Sequence, residues 1–119
     1  MQNSPKDLRK KLLGRKGEDL TVKYLKENGY KIVERNFQTS FGEADIIALK
    51  DGVYCFVEVK TRSTTDFGEP SEAVDYKKRE RYRKIAWSFC NMLREEVPCR
   101  FDIASILGEK LEYFENAYI

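Results

Sequence analysis

Glu43, Asp45, Glu58 and Lys60 are the side chains of this sequence whose types and spacing could do chemistry. They flank two apolar runs, Ile46 to Leu49 and Val53 to Val57, joined by Asp51-Gly52. That dipeptide is the strongest short-range signal for a two-residue β-hairpin turn. With it as the turn, Lys50 faces Val53, Leu49 faces Tyr54, Ile47 faces Phe56, Asp45 faces Glu58 and Glu43 faces Lys60. Side chains alternate along a strand, so the four charged groups project from one face at one end of the hairpin. Directly opposed residues have Cβ atoms ~4.5–5.5 Å apart, and like charges there destabilise a sheet. Two carboxylates so placed need a reason, and a divalent cation between them supplies one. The geometry requires a two-residue turn, because a slip of one residue turns one strand's set away.

Composition narrows the chemistry further. The 119 residues include no histidine, which excludes imidazole bases, His-based metal sites and Ser-His or Cys-His nucleophiles. Catalysis is left to carboxylates, Lys, Tyr, Cys or a metal. Cys55, Cys90 and Cys99 are odd in number and lack metal-type spacing; Cys55, in an apolar strand, and Cys90, in a helical stretch, are expected as small core residues, and a reducing, cytoplasmic setting is expected. The N-terminus has no apolar stretch of signal-peptide type, and no run of eighteen apolar residues exists for a membrane span. Length and composition fit one globular domain over 1–119, with residues 1–7 a candidate for disorder.

The elements that must position the charged residues follow from periodicity. Residues 7–28 read as a helix whose inward face carries Leu13, Gly17, Leu20, Tyr24 and Leu25, with Gly29 as a left-handed C-cap. Gly14 and Gly17 each cost ~1 kcal/mol relative to Ala inside a helix, so close packing of this turn on a sheet is expected. Glu18 falls on or near that face, where a carboxylate is either salt-bridged or functional. Tyr30 to Asn36 reads as a first strand, with Tyr30 and Ile32 facing in, and Phe37 to Gly42 as a polar loop leading into the hairpin. The hairpin strands are apolar enough to be central and covered on both faces. Thr61 to Pro70 reads as a loop, with Arg62 extending the face of Lys60. A second helix is expected from an Asp75 N-cap to about Glu96, with Tyr82, Ile85, Ala86, Phe89 and Leu93 as its buried stripe. Arg100 to Leu107, a Gly108-Glu109 turn and Lys110 to Glu115 complete the chain, with Asp102 either near the site or paired with Arg100, the structural role being the one expected. The order is αβββαββ, an α/β fold with a mixed central sheet flanked by helices. Three antiparallel strands come first, and the strand after the long helix is free to join in parallel.

Net charge is only +2, but it is unevenly spread. Residues 1–16 hold six Lys or Arg against one Asp, and residues 77–84 another six against Glu80. Cations at a helix N-terminus oppose the macrodipole, which favours phosphate binding over mere solubility as their reason. Lys77, Lys78 and Arg81 on the second helix, Arg15 and Lys16 on the first, and Arg62 are the candidate nucleic-acid contacts.

Asp45, twelve intervening residues, then Glu58-x-Lys60 is the spacing of the PD-(D/E)-x-K nucleases with the restriction-endonuclease-like fold. The surroundings are more specific. G-R-K-G-E at 14–18, G-E-A-D-I-I-A at 42–48, F-V-E-V-K-T-R at 56–62, R-F-D at 100–102 and N-A-Y near the end resemble the YraN-like family of small bacterial proteins of predicted endonuclease type. The first three are also similar to archaeal Holliday junction resolvases. The resemblance runs from Gly14 to Tyr118. It implies Asp45 and Glu58 as metal-binding carboxylates and Lys60 as the lysine that positions or activates the attacking water. Glu18 would complete the site, Glu43 would be auxiliary, and the Val59 backbone carbonyl would be a further ligand. Ala44 departs from the proline that many such nucleases carry before the aspartate.

The implied cofactor is Mg²⁺ or Mn²⁺, which needs few carboxylates because it keeps several waters and polarises a phosphate. The implied function is hydrolysis of phosphodiesters in DNA, before RNA, in branched or repair and recombination intermediates. A homodimer is the candidate assembly, as resolvases of this fold cut as dimers. A second reading keeps the fold and site as a non-catalytic nucleic-acid-binding module. A third leaves an interaction domain in which Glu43 pairs with Lys60 and Glu18 with Arg62.

Overall fold

The computed structural model describes residues 5–62 and 76–117. Helix α1 (Pro5–Glu27) buries Gly17, Thr21 and Leu25, one turn apart, with Leu20 and Tyr24 half-buried beside them. Leu13 is 36% exposed, so the buried face begins at Gly17 and not one turn earlier. The helix stops where expected. Gly29, at φ +85°, donates to the carbonyl of Lys26, and Tyr30 N–H donates to that of Leu25. These are the two bonds of a glycine-terminated helix end. Gly17 meets the sheet closely: a Cβ there would run into Thr61 Oγ1 and lie 3.2 Å from Ile106 Cδ1. Gly14 has open space, so close packing belongs to Gly17 alone.

Strands β1 (Lys31–Thr39), β2 (Gly42–Lys50) and β3 (Val53–Arg62) form an antiparallel meander. Asp51 and Gly52 both have positive φ, 51° and 77°, as a two-residue hairpin turn demands. The register runs from Lys50↔Val53 to Ile46↔Val57, as counted from the sequence. Phe37 to Thr39, expected as loop, instead extend β1 and pair with Ala44, Glu43 and Gly42. Phe37 gains an edge-to-face contact with Phe89 by doing so, which outweighs the polar composition around it.

Helix α2 (Tyr76–Leu93) buries Tyr82, Ile85, Ala86 and Phe89. The expected cap Asp75 and most of the expected loop lie outside the described residues. Leu93 is 38% exposed because the helix ends there: Arg94 takes φ +57°, and Glu95 N–H closes onto the carbonyl of Cys90. Strand β4 (Cys99–Leu107) pairs in parallel with β3, and β5 (Lys110–Phe114) returns antiparallel to it. The result is a mixed α/β fold with five strands in sequence order. Cys55, Val57 and Ala104 face α1, while Phe56 and Ile103 face α2, so both sides of the sheet are covered.

Asp102 is fully buried and saturated. Arg100 donates to it through Nε and Nη2, at 3.0 and 2.9 Å, the Tyr113 hydroxyl at 2.5 Å and the Asn116 N–H at 3.0 Å. The expected Arg100 pairing is there, and it fastens the end of the chain to the sheet. All three cysteines are free, Cys55 buried and the others half-buried. Among the described residues no helix is long and apolar enough to cross a membrane.

Candidate functional site

The site lies where β2 and β3 part. Backbone pairing runs only to Ile46↔Val57, so Asp45 and Glu58 stand level at the mouth of a fork. The pairing of Glu43 with Lys60 expected from the same count is not made. The cause is a local inversion of the neighbouring strands. Asn36 has φ +54°, and across it Arg35 reaches α1 whereas Phe37 packs on α2. On β2, opposite Asn36, Ile46 packs with the α1 cluster and Ala44 with the α2 cluster. Residues two apart on a regular strand share a face; here the chain turns over at Asp45. Its carboxylate therefore reaches sideways to β3, where Oδ2 accepts the Val59 N–H at 2.8 Å in place of a backbone carbonyl.

Burial raises the Asp45 pKa from 3.8 to about 6, the negative charges of Glu58, Glu43 and Glu18 add to the rise, and the Val59 bond opposes it. A carboxyl surrounded by carboxylates is a poor resting state and a good cation seat. Glu58 projects on the α2 side and receives Lys78 Nζ at 3.5 Å. Lys60 follows on the same face of β3. Burial first, then the Lys78 ammonium, bring its pKa down to about 8 against the pull of Glu58. Tyr82, 2% exposed, lies in the field of Glu58 and Asp45, and burial chiefly pushes its hydroxyl above the usual range.

The remaining sequence candidates divide. Glu18 is turned toward β1, where Arg35 Nε donates to it at 2.8 Å and Asn36 at 3.2 Å; Arg35 also binds Asp19. That is the salt-bridged alternative, with Arg35 as partner, although Glu18 still contributes to the field at Asp45. Glu43 is exposed and acts on Asp45 only through its charge. Val59 is engaged through its N–H. Arg62 is near enough to help lower the Lys60 pKa. Lys77 and Arg81 are exposed on α2, and Arg15 and Lys16 are exposed on α1. Lys78, expected as a phosphate contact, pairs with Glu58. Tyr82 was read only as core. Carrying the buried stripe of α2 back four residues from Tyr82 lands on Lys78, a signal that would have found both.

Among the described residues no three Asp, Glu or Cys converge closely enough to hold a metal. Asp45 and Glu58 form a two-carboxylate set, with Asp45 Oδ2 engaged and Oδ1 open among the described hydrogen bonds. Such a set suits Mg²⁺, which is commonly bound by one or two carboxylates together with waters and substrate phosphates.

Fold and site thus define a mixed α/β domain with a half-buried, electrostatically strained Asp45 beside Glu58 and Lys60 at a strand fork. The sequence model of the uncharacterised protein family UPF0102 matches residues 17–106. A UPF0102 protein of Thermodesulfovibrio yellowstonii is 44% identical over 106 residues, 89% of this chain and 95% of its own length. One of Dictyoglomus turgidum is 46% identical over 115 residues (91% and 98%), and one of Bacteroides thetaiotaomicron 40% over 110 (89% and 91%). The chain belongs to the UPF0102 family, the YraN-like family that its motifs resemble.

Proposed function

We propose that this protein is a metal-dependent endonuclease with a restriction-endonuclease-like fold, hydrolysing phosphodiester bonds of DNA. The observation that carries this is Asp45 within the electrostatic reach of Glu58 just beyond the last β2–β3 pair, with Lys60 two residues after Glu58 on β3. Asp45 and Glu58 would hold Mg²⁺ or Mn²⁺, which when bound supplies Lewis-acid polarisation of the phosphate and of a water. Lys60, with its pKa brought down to about 8, can take the proton of the attacking water through its neutral fraction, while its ammonium can stabilise the negative charge developing on the phosphoryl oxygens. Val59 N–H holds the Asp45 carboxylate against β3, and buried Tyr82 lies in the field of both carboxylates. Lys77, Arg81 and Arg62 supply positive charge beside the fork for the DNA backbone. The reducing cytoplasm is a compatible setting for the three free cysteines.

The test is a Mn²⁺-dependent cleavage assay on linear, single-stranded, flapped and four-way-junction DNA. Wild type is expected to cut at least one of these, and Glu58→Ala and Lys60→Ala to lose about 100-fold or more of the rate. Cutting retained in both variants would end the proposal.

One observation favours a second reading, a nucleic-acid-binding module without cleavage. Lys78 already neutralises Glu58, and Glu18 is spent on Arg35. Metal-independent DNA binding with no cutting of any substrate would select it.

A further inference from the structure

Beside the stripe that α2 buries runs a second row. Lys77, Arg81, Lys84 and Trp87, spaced by four, three and three residues, share one exposed face of the helix. Trp87 is 61% exposed and Phe41, in the β1–β2 turn, 38%. These rings are organised. The Phe41 ring meets that of Trp87 edge-to-face with centroids 6.5 Å apart, and Lys84 Nζ stands 5.6 Å from the Phe41 centroid. Phe41, Lys77, Arg81 and Lys84 line a common groove together with Tyr76, which is 71% exposed, and Glu80, whose carboxylate is paired with Arg83 at 3.5 Å.

Rings interleaved with cations along a groove match one ligand chemistry. Cations spaced along a row suit a phosphate backbone, and exposed rings suit the faces of bases. A duplex keeps its base faces stacked inside and would use the cations alone. Protein interfaces favour aromatic residues but are depleted in lysine, which is abundant here. The row also leads to the fork. The Arg81 stem lies against Gly42, and its charge acts on Tyr82, which shares the field of Asp45 and Glu58.

We propose that this face of α2 and the β1–β2 turn bind single-stranded nucleic acid, with unpaired bases stacking on Phe41 and Trp87 and phosphates on Lys77, Arg81 and Lys84. Delivery of that strand to the carboxylates rests on the nuclease reading; the binding does not. As a substrate class it selects DNA with an unpaired segment, such as a flap or a gap, over intact duplex.

Trp87 is the chain's one tryptophan and its ring meets that of groove-lining Phe41, so its fluorescence reports on strand bound across the two rings. Wild-type protein in EDTA, where no cutting occurs, is titrated with oligothymidylate and with a blunt duplex of equal length. The single strand is expected to quench Trp87 and the duplex to leave it largely unquenched. Phe41→Ala is expected to bind oligothymidylate at least about fivefold more weakly, the loss typical of one stacked base, with its duplex affinity unchanged. By anisotropy of a labelled oligothymidylate, Trp87→Ala should show the same loss and Trp87→Phe should restore binding, which separates stacking from any fault in folding. Absence of quenching, or equal losses on both DNA forms, overturns the proposal. Aromatic variants that bind the single strand as wild type does also overturn it, and would give the patch to a protein partner. Quenching in a protein that cuts nothing sinks the nuclease reading and leaves this one standing; cutting without quenching does the reverse.

Discussion

Asp45 and Asp102 are the same side chain in two electrostatic situations. Asp102, fully buried, accepts from a guanidinium, a phenol and a backbone N–H. Asp45, less deeply buried, accepts one backbone N–H and looks out on Glu58, Glu43 and Glu18. The more buried aspartate is the contented one. Burial alone therefore does not mark a residue for chemistry; burial without enough partners does. A buried carboxylate surrounded by donors holds a structure together, whereas one in the field of other acids resists ionisation.

The largest effect should come from removing the satisfied aspartate. Asp102→Ala leaves Arg100, the Tyr113 hydroxyl and the Asn116 N–H without their acceptor, and should cost about 3–5 kcal/mol in urea unfolding. A loss under about 1 kcal/mol would erase the contrast.

The opposite sign is expected at the fork. Asp45 has a folded pKa of about 6 against an ordinary 3.8, so folding opposes its ionisation. The penalty is absent below the unfolded value, builds as pH rises between the two, and is complete above the folded one. In EDTA at pH 8, Asp45→Asn should therefore be more stable than wild type, by on the order of 2 kcal/mol, with the gain vanishing as pH falls toward 3.8. A variant less stable than wild type at pH 8 would mean that the Val59 bond, and not burial and repulsion, governs the site.

Metal affinity gives a smaller and sharper comparison. Protons compete for Asp45, so calorimetric Mn²⁺ affinity should fall as pH drops below about 6, by at most tenfold per unit. Lys78→Ala frees Glu58 of its ammonium and should tighten Mn²⁺ binding severalfold while weakening DNA binding. Unchanged Mn²⁺ affinity would show that Lys78 does not compete for the seat. The smallest effect belongs to exposed Glu43: Glu43→Gln should lower the Asp45 pKa slightly in a carboxyl NMR titration, with no change in fold.

Much of this was legible because it is periodic or local. Asp51-Gly52 set the hairpin register, and with it the meeting of Asp45 with Glu58; the stripe from Tyr82 to Phe89 set the buried face of α2. What was not legible depends on tertiary choices. Asparagine tolerates positive φ but does not announce it, so the inversion at Asn36 that carries Phe37 to one face and leaves Arg35 on the other had no signal of its own. The sequence leaves Glu18 either salt-bridged or functional, and its preference for Arg35 depends on how α1 lies across β1. Arg94 ends α2 in a conformation that usually calls for glycine, so the helix was read three residues too long.

The parallel join between β3 and β4 has a kinetic consequence. Three neighbouring strand pairs close through turns of two residues, but Tyr54↔Cys99 must wait for the intervening chain, α2 included, to cross over. Loop closure on that scale is slow to be rewarded. The meander bearing Asp45 and Glu58 is therefore expected to form early in folding, with β4 and β5 docking late. Chevron analysis would show this as Ala104→Gly speeding unfolding while Ala48→Gly slows folding. The fork would then be shaped before the strand that covers its flank arrives.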